Sequence, residues 1–449
     1  MNKTISARNT LTEGSIGKQL LLFFFPIALG TFFQQFYNTI DAIVVGRYVS
    51  SNALAAVGGS SGQIINLIVG FFTGLTSGAS VIVSQFFGGG DREKVNNSMH
   101  TLYAFSVLGS LVITVLGILT APFLLEIMHT PGEIMADSVL YLRVYFSGAF
   151  FIFIYNTGAS LLRALGDSRR PLIYLILCCL INIVLDLFCV VVLRMGVAGV
   201  AVATLLAQAI SACLVTRALL RSPQWCDFSL RKIRIHGNML KPQLYIGLPG
   251  GIQGSMYSLS NIILQTAVNN IGANAVAAWT IHGKVDSLFW MINGSLGIAV
   301  TTFVGQNYGA GRMDRVKKSV RIGLGMDLGF AILCSLFMLL FRVPLLSLFT
   351  DETEVMQIAS TTLGIITPFY ALFTFIEMYT SALRGMGDVL VPMIMTILGI
   401  CGFRILWVLF VVPLAPTMET ISYNYPVSWG ITAAFFIVYY HVRVKKRKI

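Results

Sequence analysis

Long apolar stretches separated by short polar breaks recur along the whole chain. The first, "LLLFFFPIALGTFFQQFYNTIDAIVVG" at residues 20–46, exceeds the about 20 residues that a helix needs to cross a bilayer core. The pattern predicts an all-α membrane protein, because apolar runs of this length indicate transmembrane helices. We identify twelve of them, at residues 20–46, 53–86, 98–125, 138–162, 171–193, 196–220, 243–270, 274–304, 321–346, 355–382, 390–413 and 423–442.

The composition agrees with a membrane protein. The 449 residues are 56% hydrophobic and 11% charged, and the mean hydropathy is +0.78. A soluble domain has about 25% charged residues. The seven cysteines lack the spacing of a zinc site or a disulfide framework, and the first apolar run is too long for a cleavable signal peptide.

The positive charge indicates topology. The formal net charge is +12, which alone would also fit a nucleic-acid-binding protein. If the N-terminus is cytoplasmic, however, 25 of the 31 Lys and Arg residues fall on the cytoplasmic side. We therefore expect a multi-pass protein of the bacterial cytoplasmic membrane with both termini in the cytoplasm, and no nucleic-acid partner.

The two halves of the chain resemble each other. "RALGDSRRP" at residue 163 matches "RGMGDVLVP" at residue 384, and "SQFFGGGDREKV" matches "GQNYGAGRMDRV", both at an offset of 221 residues. Because six spans per half is an even number, both halves have the same orientation and a pseudo-twofold axis along the membrane normal. The predicted units are an N-terminal six-helix bundle (1–220), a cytoplasmic linker (221–241) and a C-terminal six-helix bundle (242–449).

Polar residues of the first half share one depth in the membrane. Counting helix rise from the span ends places Asp41 roughly 9 Å below the outer surface, and Asp186 and Thr204 about 12 Å below it. Asn182 lies four residues before Asp186, so both side chains share one helix face. Two carboxyl groups, an amide and a hydroxyl group are thus expected to converge.

Buried acids of this kind are typical of ion-coupled sites. A charge in the membrane interior costs ~2.5–3.5 kcal/mol on the insertion scale, and no Lys or Arg lies beside these acids within their spans. Like charges and desolvation both favour the neutral form of a carboxyl group, which suits proton uptake and release. Carboxylate, amide and hydroxyl oxygens also suit Na⁺. A polar cluster that only holds helices together is the structural alternative.

Three motifs carry a family resemblance. A Pro-containing first span ending in an Asp, the paired "RALGD" and "RGMGD" loops, and "VGQNYGAG" resemble the multidrug and toxic compound extrusion (MATE) family over nearly the whole chain. The resemblance implies two six-helix bundles around a central cavity and export of drugs in exchange for protons or sodium. It also implies an ion site in the N-terminal lobe, on Asp41, Asn182, Asp186 and Thr204, with sodium as one candidate ion.

Two further residues of the first span belong to this hypothesis. Tyr37 lies one turn before Asp41 and is placed to hydrogen-bond within the polar cluster. Pro26 lies fifteen residues before Asp41 and removes a backbone hydrogen bond, which promotes a kink. We expect Pro26 to act as a hinge when Asp41 gains or loses its ion.

The second half does not duplicate this site. Asn182 and Asp186 correspond to Phe403 and Trp407 at the offset of 221. Four other polar residues in or near its spans are candidates for a gate or a substrate site: Gln253, Lys284, Asp286 and Glu377. Arg404 also lies inside a predicted span, and its role stays open.

Individual roles in the second half stay open at this point. Lys284 and Asp286 are two residues apart and do not face each other on one helix, so each is expected to pair across spans. For Glu377 a structural ion pair or an inner gate competes with substrate binding. Asp327 is expected near the inner interface.

These observations together predict a secondary active multidrug efflux transporter. It would export organic, often cationic, compounds in exchange for H⁺ or Na⁺ by alternating access, as a monomer among membrane lipids and without a cofactor. No G-x-x-x-x-G-K-[ST] loop and no catalytic constellation are present, so we expect neither ATP hydrolysis nor an enzyme.

Two alternatives remain beside this prediction. A flippase for lipid-linked sugars or lipids belongs to the same superfamily, but it would need a cationic cavity, and the embedded cations are mainly Lys284 and Arg404. A membrane-embedded enzyme such as an acyltransferase is the less favoured alternative, because it would not explain the duplication.

Overall fold

The protein is described by a computed structural model, which covers residues 11–222 and 227–446. Its regular structure there is entirely helical, and two π-helical segments, Phe188–Val192 and Ile397–Gly402, interrupt the α-helices. The α-helices of the described residues are α1 (Ile16–Tyr48), α2 (Ser51–Gly58), α3 (Ser60–Gly88), α4 (Arg92–Ile127), α5 (Gly132–Ser147), α6 (Ala149–Ala164), α7 (Arg169–Leu187), α8 (Gly196–Leu220), α9 (Gly237–Ile271), α10 (Ala273–Gly309), α11 (Met313–Leu340), α12 (Arg342–Ser347), α13 (Thr353–Ile366), α14 (Tyr370–Gly385), α15 (Leu390–Thr396), α16 (Phe403–Phe410) and α17 (Met418–Lys446).

These helices form the twelve predicted spans. In the described part of the chain, ten segments are long and apolar enough to cross a membrane, and the pair α5–α6, bent by 47°, makes an eleventh. The twelfth is α9, whose 35 residues include two prolines and several polar side chains, so its composition is less apolar. The all-α, twelve-span architecture predicted from the sequence is confirmed.

The sequence repeat appears as symmetry between the two lobes. Gln85 Nε2 donates to the carbonyl oxygen of Gly385 at 2.8 Å, and Gln306 Nε2 donates to that of Ala164 at 2.8 Å. Gln306 lies 221 positions after Gln85, and Ala164 lies 221 positions before Gly385, so the two bonds are equivalent under the sequence repeat. We call this pair of bonds the glutamine clasp. It joins the lobes on the side of the membrane where α1 begins and α17 ends, here called the terminal side.

Glycines bring the backbones of the two lobes into contact. Helix α3 packs along α9, and a Cβ atom added to Gly74 would lie 2.5 Å from the carbonyl oxygen of Gly250. One added to Gly78 would lie 2.7 Å from the carbonyl oxygen of Ile246. Because side chains would separate these backbones, only glycine permits this approach.

Helix α1 belongs to both lobes. Leu20 and Phe23 in its first half pack into the core of the C-terminal lobe around Phe289, whereas Val44 and Val45 in its second half pack into the N-terminal lobe. Pro26 is buried inside this helix, between the two contact regions. A bend at Pro26 would therefore move one lobe's contact region relative to the other's.

Helix α9 begins at Gly237, within the range 221–241 that the sequence predicts for the linker. Its described part packs on α4 of the N-terminal lobe. Phe228 is buried against His100, and the backbone N–H of Ser229 donates to His100 Nε2 at 3.1 Å. Residues 1–10, 223–226 and 447–449, which include basic positions used for the topology, lie outside the described residues. The domain boundaries stay a prediction.

The close backbone approach gives a stability prediction. Gly74→Ala should lower the midpoint temperature of unfolding in detergent, since overpacking costs about 1–3 kcal/mol and the neighbouring atoms are backbone. The matched control is Gly329→Ala on α11, where an added Cβ meets nothing within 4 Å. Equal unfolding temperatures for both variants and the parent protein would contradict a rigid glycine contact.

Candidate functional site

The predicted polar cluster of the N-terminal lobe forms between α1 and α7. Asp41 projects from α1, and Asn182 and Asp186 project from one face of α7, against which α1 packs. Asp186 is 0% exposed and Asn182 is 1% exposed, whereas Asp41 is only partly buried. The structure therefore brings the two acids and the amide together at one depth.

The two carboxyl groups are each other's nearest charged neighbours. Asp41 and Asp186 interact directly across α1 and α7, although no hydrogen bond of good geometry joins them. Asp41 Oδ1, both oxygens of Asp186 and both polar atoms of Asn182 are buried without a hydrogen-bond partner among the described residues. No Lys, Arg or His of that part of the chain forms an ion pair with either acid.

Unpaired buried polar groups are rare, because each loses its hydrogen bonds to water without replacement. Five such atoms lie around the two acids here. In a cluster that only holds helices together, the polar atoms would be expected to bond to one another.

Tyr37 and Thr204 are placed differently with respect to the acids. Tyr37 is buried and has Asp41, Tyr141 and Tyr145 among its electrostatic neighbours. Thr204 is buried on α8, which packs against α7, but its hydroxyl makes no hydrogen bond to the acids in the described structure. Tyr37 thus lies in the cluster, and Thr204 contributes at most from its margin.

Two tyrosines of α5 were missed by the sequence reasoning. Tyr141 has both Asp41 and Asp186 as electrostatic neighbours, and its ring lies 6.1 Å from that of Tyr145. Their spacing of four residues, which places both rings on one helix face, was the available signal. It was weak, because aromatic pairs with this spacing are common in apolar helices.

The C-terminal lobe contains a cavity of about 570 Å³ between α9, α10, α14, α16 and α17. A volume in this range is typical of small-molecule sites. Aromatic rings form much of its wall, and several contact one another at centroid distances of 4.7–6.0 Å: Trp279, Trp290, Phe373, Tyr425 and Trp429.

Three of the predicted second-lobe residues line this cavity: Asp286, Glu377 and Arg404. Asp286 accepts hydrogen bonds from the Tyr370 hydroxyl group and from Trp290 Nε1, so it pairs across helices through a hydroxyl group rather than a cation. Glu377 Oε1 accepts from Ser381 Oγ at 3.2 Å, and Glu377 forms no ion pair among the described residues.

The other second-lobe residues lie elsewhere. Gln253 accepts from Arg384 Nη2 at 3.2 Å, and Lys284 is exposed; neither lines the cavity. Lys284 makes no ion pair within residues 11–222 and 227–446, so the expectation that it pairs across spans was wrong. Asp327, expected near the inner interface, is 0% exposed because α10 and α14 cover it, and it accepts from Asn293 Nδ2 at 2.8 Å.

Comparison with known proteins gives matches along the whole chain. The family model MatE matches residues 26–188 and 249–409, one segment in each half. The probable multidrug resistance protein YoeA of Bacillus subtilis is 30% identical over 98% of this chain and 96% of its own length. The probable multidrug resistance protein NorM of Thermotoga maritima is 28% identical, over 87% and 84%.

A solved structure has the same fold. It is the outward-facing conformation of a multidrug resistance MATE family transporter, which superposes with a TM-score of 0.91 at 23% identity and covers 99% of each chain. The two matched segments of the family model begin at Pro26 and at Pro249, which are equivalent prolines in the two halves.

Proposed function

The chain belongs to the MATE family of membrane transporters, and we propose that it exports small organic compounds in exchange for protons or sodium ions. Members of this family are transporters rather than enzymes, and two relatives bear the name of multidrug resistance proteins. The observation that supports the proposed coupling is the pair Asp41–Asp186: three of its four carboxyl oxygens are buried without a hydrogen-bond partner, and no cation forms an ion pair with either acid in the described structure.

The cluster suits an ion that binds and dissociates during transport. A carboxyl pair with unpaired oxygens is stabilised by a shared proton, or by Na⁺ held by Asp41, Asn182 and Asp186 with Thr204 at the margin. Asp41 is partly exposed, so the coupling ion would reach the pair from the side of Asp41. Binding the ion removes the repulsion between the two acids.

Helix α1 provides the connection from ion to substrate. Its first half packs into the C-terminal lobe, while Asp41 in its second half faces α7 of the N-terminal lobe. Pro26 between these regions lacks a backbone N–H group, which allows the helix to bend. A changed interaction between Asp41 and Asp186 would shift the second half of α1 and thereby the packing between the lobes.

The aromatic cavity supports binding of organic substrates. Aromatic faces attract organic cations, and the carboxyl groups of Asp286 and Glu377 line the same cavity. Substrate would bind in this cavity and leave on the side opposite the glutamine clasp. The direction of export also rests on the predicted topology, in which the terminal side is cytoplasmic.

Substitution of the acids tests the coupling. Asp41→Asn should reduce gradient-driven export of an organic dye from proteoliposomes to background, because asparagine keeps the shape but does not titrate. Asp186→Asn should impair export severely or change its ion dependence, and Thr204→Ala should have a milder effect. Export is measured with an imposed proton gradient and, separately, an imposed sodium gradient.

The matched control for these variants is Asp351→Asn, which changes an exposed aspartate in the loop before α13. It should export like the parent protein. An Asp41→Asn protein that exports at the parent rate and with the parent pH dependence would contradict the role of the pair. Absence of export by the parent protein under either gradient would contradict the transport function itself.

Labelling from one side tests the topology. A single cysteine at Leu230, an exposed linker position, should not react with a membrane-impermeant maleimide in intact cells. A cysteine at Glu133, which is exposed at the opposite end of the bundle, should react and serves as the matched control. Both are made in a variant whose seven native cysteines are replaced. Labelling at position 230 but not at 133 would reverse the orientation.

A further inference from the structure

The cavity of the C-terminal lobe contains a guanidinium group without a counter-ion. Arg404 on α16 lines this cavity and is 3% exposed. Within the described structure it forms no ion pair with any Asp or Glu, and its Nε atom is buried without a hydrogen-bond partner. A buried unpaired charge is costly in a membrane and marks a functional site by default.

The neighbours of Arg404 hold it in place without neutralising it. Its Nη1 atom donates to Ser260 Oγ at 3.1 Å and to Asn261 Oδ1 at 2.6 Å, both on α9. The guanidinium group lies 4.8 Å from the ring centroid of Tyr425 on α17, a cation–π contact. The side chain is thus fixed by neutral groups on two helices, and Nε remains available as a donor.

Acidic side chains line the same cavity. The carboxyl group of Asp286 accepts hydrogen bonds from two donors, the Tyr370 hydroxyl group and Trp290 Nε1. Tyr425 has both Arg404 and Asp286 as electrostatic neighbours, and Tyr257 has both Arg404 and Glu377. Arg404 and these two acids thus line one cavity without forming a salt bridge among the described residues.

We propose that Arg404 binds an acidic group of the transported substrate, so that the cavity selects aromatic compounds that carry a carboxylate or phosphate as well as an amine. This inference rests on the proposed transport function and narrows its substrate class from organic cations to amphoteric compounds. The guanidinium group forms paired hydrogen bonds with carboxylates and phosphates, which a substrate would supply where the protein has no acid. The tryptophan and tyrosine rings that line the same cavity offer flat apolar surfaces to a planar aromatic body.

A matched pair of dyes tests the proposal: a rhodamine with a free carboxylate and its methyl ester, which keeps the rings and amines but lacks the acid. Binding to the purified full-length protein in detergent is measured by fluorescence anisotropy. The parent protein should bind the acid dye at least about tenfold more tightly than the ester, the effect of one charge-assisted hydrogen bond. Arg404→Gln should abolish this preference and leave the affinity for the ester unchanged within about twofold.

Two further variants exclude simpler explanations. Lys284→Gln removes an exposed cation outside the cavity and should keep the preference for the acid dye, which excludes a general charge effect. Arg404→Lys keeps the charge but loses the planar fork, and it should retain only part of the preference. If Arg404→Gln does not fold, the affinities of the two dyes for the parent protein, Lys284→Gln and Arg404→Lys still decide whether Arg404 binds the acidic group.

The contrary outcomes are specific. Equal affinity of the parent protein for both dyes, or a loss of both in Arg404→Gln, would show that Arg404 only ties α16 to α9 and would overturn the proposal. Export of the ester by the parent protein, without preference for the acid dye, would leave the transport function standing while this inference fails. Absence of export of either dye under both ion gradients would contradict the transport function instead.

Discussion

The close backbone contact between α3 and α9 is the constraint on which the arrangement of the two lobes depends. Because Gly74 and Gly78 lack side chains, the lobes approach until their backbones touch, and no side chain can adjust the spacing there. The glutamine clasp adds two equivalent hydrogen bonds on the terminal side. Under the proposed alternating access these contacts would have to separate, and the energy of this interface would then determine how easily the terminal side opens.

Unpaired polar groups mark both candidate sites, and they do so with opposite charge. In the N-terminal lobe, Asp41 and Asp186 are acids without a cation; in the C-terminal lobe, Arg404 is a cation without an acid. Folding alone would not favour either arrangement, since each leaves buried charge or buried polar atoms unsatisfied. The duplicated fold thus carries a different set of unpaired groups in each lobe, on which the proposed cation site and the proposed site for an acidic substrate group rest.

Much of the fold follows from the sequence, because a membrane-spanning helix is recognised from the length and hydrophobicity of one continuous segment. Apolar length predicted the twelve spans, and helix rise predicted that Asp41 and Asp186 share a depth. Depth gives no information about rotation around the helix axis. For this reason the burial of Asp327 and the exposure of Lys284 were not predicted.

Features that arise from packing between spans were also beyond the sequence. The proximity of Tyr141 to Asp41 and Asp186 depends on how α5 packs against the other helices. Gly148 is the only helix-breaking residue at the 47° bend between α5 and α6, and a single glycine does not predict a bend. Arg404 was visible as an embedded cation, but the absence of an acid near it could only be recognised in three dimensions. The absence of an acidic partner leaves no pattern in the amino-acid sequence.

Helix α10 connects the elements that the proposed mechanism requires. It carries Asp286 and Trp290 at the cavity, Ser295 opposite Thr31 of α1 at 3.4 Å, and Gln306 in the clasp. Thr31 lies five residues after Pro26, so a bend of α1 at the proline moves its contact with α10. Because α10 is continuous over its 37 residues, that displacement reaches both the cavity and the clasp. An ion-dependent change at Asp41 would therefore act on substrate binding and on closure of the terminal side through one rigid helix.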